Sequence, residues 1–330
     1  MCISMSETRA KSKKIVSYAK YGYIFIAPFF IVYCFFMVYP LINTFILSFQ
    51  GNGSTTGAFV GFDNFKVLLF GGETANVQAA NAKATANIYW SSWGNTLILW
   101  VGNFVIQLVL SLLLAVWFSD TRIKLKGAGF FKVVFYLPNV ITAVSVAGMF
   151  LMLFGNSKFG AVNSLLMNIG LITDPIRFVN DPWLSRVVVM FIQSWMWFGN
   201  TTLLLMSGIF GIDPSIYEAA SIDGSSGMHQ FLHITMPILK PIFLYVFITS
   251  MIGGLQMFDI PYMFHEGAGL STHLRTQATY IYTNFHQSNP NYGYSAAASV
   301  ILFAVTAILG LVIYNSNNGE SGGKKRKGGK

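Results

Sequence analysis

The sequence predicts an all-α polytopic membrane protein with six transmembrane helices and a helical segment between the fourth and fifth. Three observations predict it. Of 330 residues, 54% are hydrophobic and only 10% charged, with mean hydropathy +0.55, whereas soluble domains carry about 25% charged residues. Six apolar runs reach the roughly 20 residues that a bilayer core of about 30 Å demands. Lys and Arg are also divided unevenly between the segments joining those runs.

The runs are 23–49, 96–118, 133–154, 187–212, 242–264 and 296–314. None contains Lys or Arg, and the single acid is Asp259. The first is too long and too late for a cleavable signal, so it is expected to be a retained anchor. Cys2 and Cys34 cannot build a disulfide framework, since Cys34 lies inside that run. Segments 50–95, 155–186 and 265–295 would share one side of the membrane. In the first, Phe62, Phe65, Leu68 and Leu69 recur at helical spacing, which predicts a short amphipathic helix on the outer surface that caps the bundle. The chain thus divides into an N-terminal tail (1–20), a six-helix domain (21–314) with a connector at 213–237, and a basic tail (315–330).

Fifteen of the 21 Lys and Arg fall on one side: Arg9, Lys11, Lys13, Lys14 and Lys20; Arg122, Lys124, Lys126 and Lys132; Lys240; and Lys324, Lys325, Arg326, Lys327 and Lys330. Positive charge is retained in the cytoplasm, so both termini and the 213–237 connector are expected there. The basic tail reads as a topology signal beside anionic lipid rather than a nucleic-acid patch.

Several chemistries are missing. The sequence has no G-x-x-x-x-G-K-[ST] loop, no H-E-x-x-H and no Cys or His pair at ligand spacing with a carboxylate in step, so ATP binding and a structural metal are not expected. His229 and His233, four apart, read as surface residues. The spans lack the buried charges and His relays of ion-coupled carriers, and no convergent catalytic pair suggests a membrane enzyme.

The connector is more ordered than a loop requires. Asp213 can cap a helix that begins at Pro214, where a missing N–H costs nothing. That helix runs through Tyr217, Ala219, Ala220 and Asp223 to Gly224, which can take the left-handed conformation. Ser225 or Ser226 can cap a second short helix containing Met228, Phe231 and Leu232 before Pro237 starts the fifth span. A protruding helix pair with a small-residue face, Ala219, Ala220 and Ser221, is suited to docking.

These residues resemble a known family. Glu218, Ala219 and Ala220, then Asp223 and Gly224, then Ile234, Pro237 and Pro241 are similar to the EAA signature of permease subunits of binding-protein-dependent ABC importers. LPNVITAVSVAG (137–148), LQMFDIPYMF (255–264) and NYGYSAAASVILF (291–303) resemble the carbohydrate-uptake branch, the permeases of maltose and multiple-sugar systems. HEGAG (265–269) stands where that branch has a Thr-rich GGP turn. The resemblance implies a subunit that forms half of a pore with a second, related permease, served by two cytoplasmic ATPase subunits and an external sugar-binding protein. It implies that 214–231 inserts into an ATPase cleft, with Tyr217, Glu218, Ala219, Ala220, Asp223 and Gly224 carrying the coupling and Glu218 facing a basic residue. No catalytic residue, metal or cofactor is expected on this chain; ATP and Mg would belong to the ATPase.

Substrate candidates are polar residues with no reason to face lipid: Asn139, Gln193, Trp195, Trp197, Asn200, Thr201, Ser250, Gln256 and Asp259. By resemblance the sugar-contacting positions fall at or near Asn139, Phe198 to Asn200, and Ser250 to Met257, including Gly254. Each could instead make interhelical hydrogen bonds. An oligosaccharide is the expected substrate, with a polyol, a glycerol phosphodiester or a sugar phosphate as the alternatives; the absence of Lys and Arg from the spans favours a neutral sugar over the phosphorylated ones.

Overall fold

The computed structural model describes residues 19–51, 57–74, 77–119, 127–267, 272–288 and 290–323. The basic residues of the tails below 19 and above 323, Arg122, Lys124 and Lys126, and the end of HEGAG lie outside them. The chain forms two compact units divided after Ile46. No strand forms among the described residues; helices account for nearly all of the order.

The first unit consists of α1 (Ala19–Tyr33), a π-helical turn (Cys34–Val38) and most of α2 (Tyr39–Ser48). Together they make one apolar helix of spanning length, as the first run predicts. The π turn ends two residues before Pro40, with Tyr39 N–H donating to Cys34 O. A proline ring crowds the carbonyl four residues back and offers no N–H, and a wider turn relieves both problems. The same device recurs before Pro237, below.

The second unit is built on α4 (Ala79–Ser119) and α8 (Pro182–Phe210), packed along one another. At 41 residues α4 is about 62 Å long, twice a bilayer core, so the segment expected as a loop before residue 96 contributes nearly five further turns of helix, roughly 3.6 residues each. A row of polar contacts joins the pair: Ser194 Oγ donates to Asn103 O at 3.0 Å, Gln107 Nε2 to Thr201 Oγ1 at 2.7 Å and Ser111 Oγ to Phe198 O at 2.8 Å. Hydrogen bonds and close packing replace the hydrophobic effect as the glue between helices in lipid. Gly102 permits the approach; a Cβ there would lie 2.3 Å from Met190 Sδ.

Two expected spans are broken. The 133–154 run forms α5 (Ala128–Val140) and α6 (Ala143–Leu153), bent by 94°. Pro138 removes one helical donor, the β-branched run Val140, Ile141, Thr142 favours extended backbone, and Thr142 caps α6 by accepting from Ser145 N. The fifth run is one helix from the connector onward: α10 (Gly227–Gln230), a π turn (Phe231–Thr235) and α11 (Met236–Leu255). Pro237 therefore lies inside a continuing helix and does not start one. Its π turn ends two residues earlier, as in the first unit. The helix stops at Gln256 and restarts as α12 (Asp259–Gly267). Pro261 cannot donate to Met257 O, and Thr276 Oγ1 takes that carbonyl at 2.8 Å.

At the end remote from the connector, α3 (Asp63–Phe70), α13 (Gln277–His286) and α14 (Tyr292–Gly323) pack around the start of α4. The predicted amphipathic helix is α3, but its buried side chains are Asn64, Val67 and Leu68 and it is a working part of the core; Phe62 stands before it, largely exposed. Between α6 and α8 lies α7 (Ala161–Asn168), and the connector itself opens with α9 (Pro214–Ile222).

Candidate functional site

Two surfaces carry the sequence-predicted residues. The first is a face of α8. Gln193, Trp197 and Asn200 are spaced i, i+4, i+7, so they share one side of the helix; Gln193 is half-buried, and Trp197 and Asn200 are exposed. Phe198 points the other way. It is buried, its ring 5.7 Å from that of Phe135. Gly199 explains how closely α5 and α8 cross: a Cβ would fall 1.8 Å from Phe135 O, so no side chain fits. Asn139, in the last turn of α5, reaches across this crossing, its Nδ2 3.5 Å from Met196 O.

The predicted residues of α11 do not gather in one place. Ser250 Oγ accepts from Trp100 Nε1 at 3.3 Å, and a Cβ on Gly254 would meet Trp100 Cδ1 at 2.0 Å, so both positions face α4. Met257 is buried in the core with Ile260 and Phe264. Gln256 is exposed and borders a cleft of about 350 Å³ lined by Phe258, Tyr282, Phe285 and His286. On the exposed side of α11, Tyr245, Thr249 and Ile252 lead up to Gln256 at i, i+4, i+7 and i+11. Thr249 was not singled out from sequence, although its spacing to Gln256 was the available signal. Trp195 packs on the core and touches the Phe150 ring at 5.5 Å.

The second surface is the connector. Asp213 Oδ1 accepts from Ser215 N at 2.9 Å, and this backbone hydrogen bond holds its carboxyl below the ordinary value. Gly224 has φ +78°, Gly224 N–H donates to Ser221 O and Ser225 N–H to Ala220 O, the paired bonds of a Schellman ending. Ser226, not Ser225, caps α10. Two side-chain bonds fix α9 against the following helix: Tyr217 Oη with Thr235 Oγ1 at 2.8 Å, and Gln230 Nε2 to Ser221 Oγ at 2.9 Å. Glu218, Ala219, Asp223 and Gly224 are exposed and Ala220 is half-buried. Behind α9 lies a cavity of about 540 Å³ between it and the ends of α4 and α8; Glu218 and Tyr217 are on its wall. His229 and His233 are exposed, their rings stacked 3.9 Å apart.

An apolar helical bundle with a rigid helical connector and a polar face on one of its central helices is the construction of a membrane permease. Comparison with known proteins narrows the class. A family model described as "binding-protein-dependent transport system inner membrane component" matches residues 107–318. The lactose transport system permease protein LacF of Rhizobium radiobacter is 32% identical over 290 residues, 87% of this chain and 91% of that protein. The arabinooligosaccharides transport system permease protein AraP of Bacillus subtilis (strain 168) is 30% identical over 291 residues, 88% and 86% of the two chains. A chain of a bacterial ABC transporter involved in the import of the acidic polysaccharide alginate superposes with a TM-score of 0.76 at 22% identity, covering 92% of this chain and 96% of that one. This chain belongs to the family of binding-protein-dependent transport system inner membrane components, and it is a multi-pass membrane protein.

Proposed function

We propose that this chain is the permease subunit of an ATP-driven importer that carries a sugar, an oligosaccharide, across the bacterial cell membrane by alternating access. An external binding protein delivers the sugar. A second, related permease completes the pore, and two cytoplasmic ATPase subunits dock on the connectors. ATP and Mg are held by those subunits. Both termini face the cytoplasm.

The observation that carries the substrate class is the α8 face. Gln193 and Asn200 place amides one turn to either side of the Trp197 indole on one face of α8. Sugars pair hydroxyls with amides and lay their C–H faces on aromatic rings. A lipid-facing helix has no use for the amides. The named substrates of the relatives, lactose and arabinooligosaccharides, support a neutral sugar. For the connector, the supporting feature is its rigidity: α9 is capped at both ends and braced by two side-chain bonds while its Glu218-to-Gly224 edge stays exposed.

The test is purification from native membranes with whatever partners remain bound, followed by a scan of sugars for stimulation of ATP hydrolysis. Stimulation by one oligosaccharide class through a copurifying ATPase and binding protein is expected. Hydrolysis that responds to no sugar but to an inorganic ion or peptide would overturn the substrate class.

A further inference from the structure

The cavity behind α9 has no part in the α8 face or in the exposed edge of the connector. Its volume of about 540 Å³ falls within the roughly 300–1,000 Å³ of small-molecule sites. The residues that brace α9 also form its wall. Tyr217 and Thr235, whose hydroxyl oxygens lie 2.8 Å apart, both border it, and so do Gln230 and Ser221, joined by the 2.9 Å bond. Whatever fills this space therefore touches both ties between α9 and the helix that runs through α10 into α11.

The lining combines an apolar floor with hydrogen-bonding groups of both kinds. Val116 of α4 and Ile209 and Ile212 at the end of α8 supply the floor. The Tyr217–Thr235 bond uses one of two hydroxyl protons and leaves the other to donate. Gln230 Nε2 donates to Ser221 Oγ and, at 3.3 Å, to Ser225 O, so both amide hydrogens are used and the amide carbonyl remains an acceptor. The Glu218 carboxylate is a second acceptor on the wall. Ser119, the last residue of α4, borders the same space, and its Oγ has no partner among the described residues. The Tyr217 and Phe231 side chains add aromatic rings.

These groups discriminate between classes of ligand. Glu218 is the one charged side chain among the described lining residues, so an anion is repelled. A purely apolar ligand would strip water from the carboxylate, the amide and the hydroxyls and replace none of their hydrogen bonds. A simple cation would use the acceptors and leave the hydroxyl donor and the rings idle. A neutral polyhydroxyl molecule uses all of them: its hydroxyls donate to Glu218 and to the Gln230 carbonyl and accept from the Tyr217–Thr235 pair, and its C–H face lies on an aromatic ring.

We propose that the cavity behind α9 is a second sugar site, separate from the α8 face and open to the connector side, and that its occupant holds α9 against the start of the following helix. Sugar accumulating on that side fills it, restrains the connector and slows further import. This role rests on the sugar reading of Gln193, Trp197 and Asn200, and the two fail in distinguishable ways.

The importer, purified with its partners, is assayed for ATP hydrolysis in nanodiscs, where sugar reaches both faces, and in sealed proteoliposomes with ATP trapped inside and sugar outside. The probes are a panel of neutral sugars from monosaccharides to pentasaccharides, lactose and arabinotriose among them. In nanodiscs hydrolysis is expected to rise with a stimulating sugar and then to fall by about fivefold as more is added, an ordinary allosteric coupling. In proteoliposomes the initial rate should rise and stay high. Val116→Phe, which fills the cavity and keeps both ties, should abolish the fall, whereas Val116→Ala, which enlarges it, should retain the fall; if Val116→Phe does not assemble, Ser119→Leu takes its place. Stimulation without a second phase would mean that water alone fills the cavity, which overturns this site and leaves the sugar reading intact. A fall that survives the filled cavity, or that appears equally in proteoliposomes, places the inhibition elsewhere and overturns the site as well. No stimulation by any sugar of the panel overturns the sugar reading, and this site with it.

Discussion

Gly224 offers a test in which backbone conformation is the one variable inside this chain. Its φ is +78° and nothing lies within 4 Å of the position a Cβ would take. A side chain there meets no neighbour, so steric overlap with the rest of the protein cannot contribute. What remains is the left-handed penalty, roughly 1–2 kcal/mol for an ordinary L-residue, larger for a β-branched one and smaller for Asn, which tolerates this region. Gly224→Val should therefore weaken the turn that aims α9 by about 1–2 kcal/mol or more, and Gly224→Asn by less. A change of that size alters a conformational equilibrium by a factor of about 5 to 30. In the proposed reading, that factor appears as a higher ATPase concentration needed for half-maximal sugar-stimulated hydrolysis in proteoliposomes, with the permease present at normal abundance. The order wild type, Asn, Val is the signature. If Val assembles and couples like wild type, or if Asn is as damaging as Val, the left-handed turn has no part in docking.

Further outcomes are expected elsewhere in the chain. With the native cysteines replaced, cysteines at Ser12 and Ser316 should resist an impermeant thiol reagent in intact cells, and one at Ser54 should react; external labelling at Ser316 would refute the topology. Gly199→Leu must separate α5 from α8, because even its Cβ would sit 1.8 Å from Phe135 O; overpacking costs about 1–3 kcal/mol or more, so membrane abundance and thermal midpoint should both fall, and an unchanged midpoint would refute the crossing. Asp213→Ala should loosen α9 while Asp213→Asn, which keeps an acceptor, should not. Because the folded carboxyl titrates below its ordinary value of 3.8, wild-type stability from this group is complete at neutral pH and is lost only as pH falls through that lowered value; a wild-type advantage over Asp213→Ala that disappears already near pH 6 would contradict this cap.

The connector was largely legible in the sequence because caps are local. Asp213 with Pro214, and the glycine at 224, announce their roles through neighbours two or three residues away. The spans were legible as apolar runs but not as shapes. Hydropathy does not report that Val140, Ile141 and Thr142 break one run, or that Pro261 leaves Met257 O for Thr276 to claim, since these depend on which groups can be satisfied from elsewhere in the fold. The site residues divided for the same reason. Gln193, Trp197 and Asn200 share a face by simple periodicity. Ser250 and Gly254 are polar or small because Trp100, 150 residues away, lies against them, and no local pattern distinguishes that from substrate contact.

The two surfaces are joined by stiff parts. Only Gly211, Ile212 and Asp213 separate α8 from α9, and Ile212 is buried. On the other side α10 runs through its π turn into α11 without interruption. The two arms leaving the connector are thus the helices that carry Gln193, Trp197 and Asn200 on one hand and Thr249 and Gln256 on the other. A rigid body docked at α9 could not turn without turning at least one arm, because the Tyr217–Thr235 and Gln230–Ser221 bonds tie α9 to the start of the second. In the proposed reading, removing both ties, with Tyr217→Phe and Gln230→Ala together, should leave the ATPase bound and the sugar affinity intact while hydrolysis loses its dependence on sugar. Each lost bond is worth about 0.5–1.5 kcal/mol, enough to let α9 pivot without unfolding the bundle. If the double variant transports normally, the force passes through the short α8 link alone, and the braced connector is a matter of stability.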